Sequence, residues 1–75
     1  MDIDVLKSLV AAVETGSFSR AATALYISQS AVSKRVKMLE DKLGLALLDR
    51  SGPLLQLTPA GRIVVKNAKE IIDVC

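Results

Sequence analysis

Residues 17–44, SFSRAATALYISQSAVSKRVKMLEDKLG, constrain the fold more than any other stretch of the chain. Two helical patterns lie within them, and only about three residues, Tyr26, Ile27 and Ser28, separate the two. Ala21, Ala22 and Leu25 recur on one side of the first pattern; Val32, Val36 and Leu39 recur on one side of the second. A connection this short makes the two helices cross steeply, and alanine on the inner face of the first lets the second approach closely. Ser17 and Ser28 stand where N-caps belong, and Gly44 stops the second helix after Leu43. The spacing predicts a helix-turn-helix, in which Phe18 and Tyr26 lie in the core or at its edge.

The flanks complete a small domain. DIDVLKSLVAAVETG predicts a first helix with Leu6, Leu9, Val10 and Val13 on its inner face, acids in its first turn and Gly16 at its end. After Gly44 the period changes, and LALLDRSGPLLQLT sets two aliphatic segments around Ser51-Gly52-Pro53, which predicts a modest β-hairpin. Thr58 then caps a last helix with Pro59 at its first position. Ile63, Val64, Ala68, Ile71, Ile72 and Cys75 give that helix a wide apolar stripe, with Val64, Ala68, Ile71 and Cys75 spaced as a helix-pairing seam. The expected architecture is mainly α: a winged helix-turn-helix over residues 1–58, with a three-helix core and a hairpin wing, then a linker and dimerisation helix over 59–75. The chain stops within a helical pattern, so a further domain is expected beyond it.

Charge separates the function classes. Between Arg20 and Arg62 there are seven basic residues and three acidic ones, a balance of +4, whereas the first fourteen residues carry three acids against Lys7 alone. A basic middle suggests a polyanion partner. With Phe18 and Tyr26 as the only aromatics, stacking on unpaired bases has little to work with, so duplex DNA is the better fit. In a helix-turn-helix the second helix enters the major groove. Gln29, Ser30, Ser33 and Lys34 would then face base edges: Gln pairs with adenine, Lys donates to guanine acceptors, and Ser suits either. Ser17, Arg20, Ser28, Lys37, Arg50 and Ser51 would contact the DNA backbone. The alternative is a winged helix whose charged face meets an acidic protein; the salt dependence of binding to duplex DNA separates the two.

An enzyme is not expected. The chain has no histidine, its one thiol is the terminal Cys75, and no Gly-rich phosphate loop is present. Glu40 and Asp41 are adjacent and so do not face each other on a helix. The same inventory leaves no zinc site and no cofactor within this chain. A single cysteine allows no internal disulfide, which suits a reducing compartment, and neither a signal peptide nor a membrane-spanning stretch is apparent.

The residues also resemble a known family. Gly16-Ser17-Phe18, Ala21-Ala22, Ser28-Gln29, Leu39-Glu40, Leu43-Gly44, Arg50 and Leu57-Thr58-Pro59-Ala60-Gly61 follow one another as in the N-terminal DNA-binding domain of LysR-type transcriptional regulators. The likeness covers essentially the whole chain and is specific as a set. It implies a bacterial, cytoplasmic regulator associated with the nucleoid that binds double-stranded DNA at an inverted-repeat operator. It further implies a homodimer through the linker helix, or a tetramer at full length, and a small-molecule co-inducer bound by a C-terminal domain outside this chain. Ser30 stands where many members have Pro, Leu48 where many have Phe, and the wing SGPLLQL lacks their basic residues.

Overall fold

The computed structural model describes the backbone of residues 3–74 and the side chains of residues 3–70. Its elements run α1 (Ile3–Thr15), α2 (Phe18–Leu25), α3 (Gln29–Leu43), β1 (Leu48–Asp49), β2 (Gln56–Leu57) and α4 (Pro59–Val74). The expected winged helix-turn-helix is therefore present, with the helix boundaries close to their predicted places.

α1 is the post around which the others gather, since α2, α3 and α4 all pack against it. Its buried face is Leu6, Leu9 and Ala12, with Ser8. Val10 and Val13, expected at the centre of that face, are half-buried at its margin. Three neighbours pack on this one helix, and its buried arc takes in the small Ser8 and Ala12. Ser8 is tolerated there because its hydroxyl donates to the Asp4 carbonyl at 2.9 Å and accepts from Arg35 Nη1 at 3.4 Å. From α2 the core takes Ala21 and Ala22, from α3 Val32, Val36 and Leu39, from the wing Leu47 and Leu48, and from α4 Val65 and Ala68.

The turn between α2 and α3 closes by backbone hydrogen bonds. Ile27 N–H donates to the Ala22 carbonyl at 3.1 Å, and Tyr26 N–H is shared between Ala22 and Thr23. Tyr26 takes the left-handed conformation, φ 59° and ψ 38°, that a glycine would ordinarily supply here. That geometry swings its side chain outward, so Tyr26 is 95% exposed and lies outside the core and its edge, contrary to the sequence expectation. Ile27, the next residue, supplies the apolar contact instead.

The hairpin is shorter than its aliphatic segments suggest. β1 and β2 pair antiparallel over two residues each, Leu48 with Leu57 and Asp49 with Gln56. Leu55 N–H donates at 3.0 Å to the Gly16 carbonyl at the α1–α2 junction. The tip thus bonds to the helical body where a longer ladder would otherwise run.

α4 is docked against the base of that hairpin. Thr58 N–H donates to the Leu47 carbonyl, and its hydroxyl donates to the Ala46 carbonyl at 2.6 Å while accepting from Gly61 N–H at 3.0 Å. Gly61 is buried, and a Cβ there would run into the carbonyl oxygen of Leu47. Gly61, Val65 and Ala68 consequently form the inward stripe of α4. Ala68, read from the sequence as a dimer-seam residue, is 1% exposed within its own chain and belongs to the core. Val64 is half-buried against that core, whereas Ile63 is 65% exposed. The seam residues Ile71 and Ile72 lie outside the described side chains, and Cys75 outside the described residues.

Candidate nucleic-acid interface

The face opposite the buried stripe of α3 is polar and begins at a capped helix start. Ser28 is extended, φ −74° and ψ 155°, and its hydroxyl accepts from Ala31 N–H at 3.1 Å. That bond orients the first turn. Gln29, Ser30 and Lys34 are exposed beyond it, and Ser33 is half-buried beside them. The Ser28 and Ser30 hydroxyls lie 3.2 Å apart, so the pair can present a donor and an acceptor together. The four residues expected at base edges are thereby brought to one end and one side of a single rigid helix.

The basic character of α3 divides into outer and inner parts. Lys34 and Lys37 point to solvent, whereas half-buried Arg35 turns back to Ser8 on α1. Lys37 Nζ lies 3.4 Å from Asp41 one turn on, a pair exposed on both sides and so worth only about 0.3–0.5 kcal/mol. A phosphate could displace such a contact at little cost.

Flanking residues expected at the backbone meet different fates. Ser17 caps α2, its hydroxyl accepting from Ser19 N–H at 3.1 Å and Arg20 N–H at 3.3 Å. Arg20 is exposed on the first turn of α2. Ser51 is bonded locally: its N–H and its hydroxyl both donate to Asp49 Oδ1, at 2.9 and 2.6 Å. These bonds, the hydroxyl's first and then the backbone's, hold the Asp49 carboxyl below the ordinary value of 3.8 against a slight opposing desolvation. The ionised form of the Asp49 carboxyl is accordingly favoured by its bonds to Ser51.

Arg50 is tied to the body of the domain. Its Nη2 lies 3.3 Å from Glu40 Oε1, and its guanidinium carbon sits 5.1 Å from the centroid of the Phe18 ring. Glu40, to which sequence reasoning gave no site role, has a side chain only 14% exposed. Its Oε2 accepts from Leu47 N–H at 2.8 Å and from Leu48 N–H at 3.3 Å. One signal could have found it: an acid just before the helix end, followed seven to ten residues on by a strand start and an arginine.

Comparison with known proteins places this surface in context. Residues 3–62 match the profile of the bacterial regulatory helix-turn-helix proteins of the lysR family. The chain is 45% identical over 74 residues to the uncharacterized HTH-type transcriptional regulator in the ibpB-leuC intergenic region of Azotobacter vinelandii, covering 99% of this chain and 51% of that protein. It spans about half or less of the length of the curated relatives it matches first. Among solved structures, the BenM DNA-binding domain in complex with catB site 1 DNA superposes with a TM-score of 0.92 at 34% identity, over 97% of this chain and 81% of that one. The CbnR DNA-binding domain in its DNA complex gives a TM-score of 0.91 at 34% identity, over 99% of this chain and 85% of that one.

Proposed function

The chain belongs to the lysR family of bacterial regulatory helix-turn-helix proteins, and from that premise we propose that it binds double-stranded DNA sequence-selectively with α3 in the major groove. One observation carries the reading most: Gln29, Ser30 and Lys34 stand exposed at the capped start of a helix whose other face is locked into the core. Gln29 and Lys34 read base edges, with Ser30 and Ser33 as hydroxyl partners, while Ser17, Arg20, Ser28 and Lys37 position the duplex through its phosphates. Relatives solved on DNA support the assignment.

The proposed role is transcriptional control, and no catalytic step belongs to it. Among the described residues no helix is long and apolar enough to cross a membrane. A cytoplasmic, nucleoid-associated protein agrees with that. Residues 1–58 form the winged DNA-binding unit in this proposal, and residues 59–75 form a linker helix whose early turns also complete the core. Pairing of two α4 helices would cover Ile63, which stands out among the exposed Arg62, Lys66 and Asn67. Two-fold pairing calls for an inverted-repeat operator with half-sites about 10 bp apart or a multiple of that. A small-molecule co-inducer would act through a domain outside this chain, as would any tetramer.

Selection of bound duplexes from a random pool tests the central claim. A recovered inverted repeat, bound with an affinity that falls steeply with salt, is the expected result. Recovery of no consensus, with salt-insensitive binding, would overturn it. Sedimentation of the chain and of Ile63→Glu tests the pairing, with a dimer expected for the first and a monomer for the second.

A further inference from the structure

Glu40 lies at the crossing of three elements, and each of its carboxylate oxygens has a separate task. Oε2 accepts the N–H groups of Leu47 and Leu48, at 2.8 and 3.3 Å, where the chain enters β1. Oε1 faces Arg50 Nη2 at 3.3 Å, and the same guanidinium lies over Phe18, the first residue of α2. Arg50 is thus pinned along one edge by a carboxylate and across one face by a ring. Its side chain is nevertheless 46% exposed, so the rest of a five-donor fork faces solvent. An arginine so restrained has already lost the rotamer freedom that a phosphate contact would otherwise remove.

We propose that Glu40 is a positioning residue for DNA binding: through its bridge it aims Arg50 at a phosphate, while its other oxygen fixes the strand that carries Arg50. The proposal rests on the DNA-binding reading above. It makes Arg50 the wing's phosphate contact, in place of Ser51, whose donors are held by Asp49. It also assigns an acidic residue a favourable part in binding a polyanion.

Simple charge counting gives the opposite sign, which makes the idea testable. Glu40→Gln keeps an acceptor for the Leu47 and Leu48 N–H groups but turns N–H donors toward Arg50, so it releases the guanidinium selectively. Removal of a negative charge alone would leave DNA affinity unchanged or raise it. Release of a positioned arginine instead weakens binding about fivefold on specific and random duplexes alike, and makes the slope of log K against log salt shallower by about 1, one phosphate contact. Arg50→Gln should produce the same shallower slope, and the double variant should be no worse than Arg50→Gln alone.

The experiment measures salt-dependent binding of the four proteins to the selected duplex and a random one, with urea unfolding in parallel. A Glu40→Gln protein that binds as tightly as the parent, or more tightly, with an unchanged slope overturns the proposal even if its stability has dropped. Additive losses in the double variant, or an unchanged slope in Arg50→Gln, overturn it too. If the parent chain shows no salt-dependent duplex binding, the DNA-binding reading fails as well, and the first arm alone shows this.

Discussion

The α2–α3 pair and the junction of wing with α4 are held by bonds of different reach. In the first, Ser17 caps Ser19 and Arg20, Ser28 caps Ala31, and Ile27 closes on Ala22, so the partners lie two to five residues apart. In the second, Glu40 reaches Leu47 and Arg50, Thr58 reaches Ala46, and Leu55 reaches Gly16, across seven to thirty-nine residues. The α2–α3 reading head therefore takes its caps and turn from nearby residues, whereas the wing and α4 are fixed by partners distant in the chain. Single changes should cost more at the junction than at the turn.

Gly61→Ala should show the largest difference. In a helix, Gly to Ala ordinarily stabilises by about 1 kcal/mol. Here the added Cβ meets the Leu47 carbonyl, a backbone atom that cannot rotate away. Overpacking of this kind costs about 3 kcal/mol, so the net effect reverses the sign expected from propensity. Urea unfolding checks it, and a stabilised variant would show that α4 sits farther from the hairpin.

Two N-caps sharpen the same contrast. Ser28→Ala loses one local acceptor and should cost about 1 kcal/mol. Thr58→Ala loses the cap to Gly61 and also the donor to Ala46, and about 2 kcal/mol is expected. Thr58→Ser should recover most of that loss. Equal costs for the two alanine variants would mean that the Ala46 bond contributes nothing.

The same difference in reach explains what could be read from the sequence. The caps, Gly16, Gly44 and the inward Ala21, Val32, Val36 and Leu39 were legible because their cues and partners are neighbours in the chain. The phase of α4 was not. The inner stripe runs through Gly61, Val65 and Ala68 because Gly61 lies against Leu47, and aliphatics at Ile63, Val64 and Val65 give periodicity nothing to choose between. The role of Glu40 was not legible because its partners, Leu47, Leu48 and Arg50, reach it only when the strand start folds back. Tyr26 looked like core because its left-handed φ depends on a turn closure that residue type does not announce.

The residues proposed to read bases all lie in the local region, so their variants should leave the junction untouched. Gln29→Ala and Lys34→Ala should each lose about 1 kcal/mol of discrimination, the low end for a base contact, with unfolding unchanged. Lys37→Ala should weaken specific and random duplexes equally, since a phosphate contact carries no sequence information. Binding titrations on both duplexes separate the cases, and uniform losses for all three variants would remove α3 from the bases.

The smallest expected effect lies at the wing tip, where the contrast between local and distant bonds can be examined within one turn. Asp49 and Ser51 are bonded locally although they belong to the wing. Because Ser51 lowers the Asp49 pKa, the ionised form favours the folded tip. Its contribution is complete above the unfolded value near 3.8 and is lost as pH falls through the lower folded value. Asp49→Asn keeps an acceptor oxygen without the titrating charge, so the parent's small advantage should hold at neutral pH and fade only in acid. Urea midpoints of both proteins measured down a pH series check this. Since Leu55 and Thr58 anchor the wing elsewhere, α4 and the reading head should stay folded through that change, and DNA preference at neutral pH should be the same for both proteins. Parallel pH curves would show that Ser51 does not hold the carboxylate, and would return its donors to the surface.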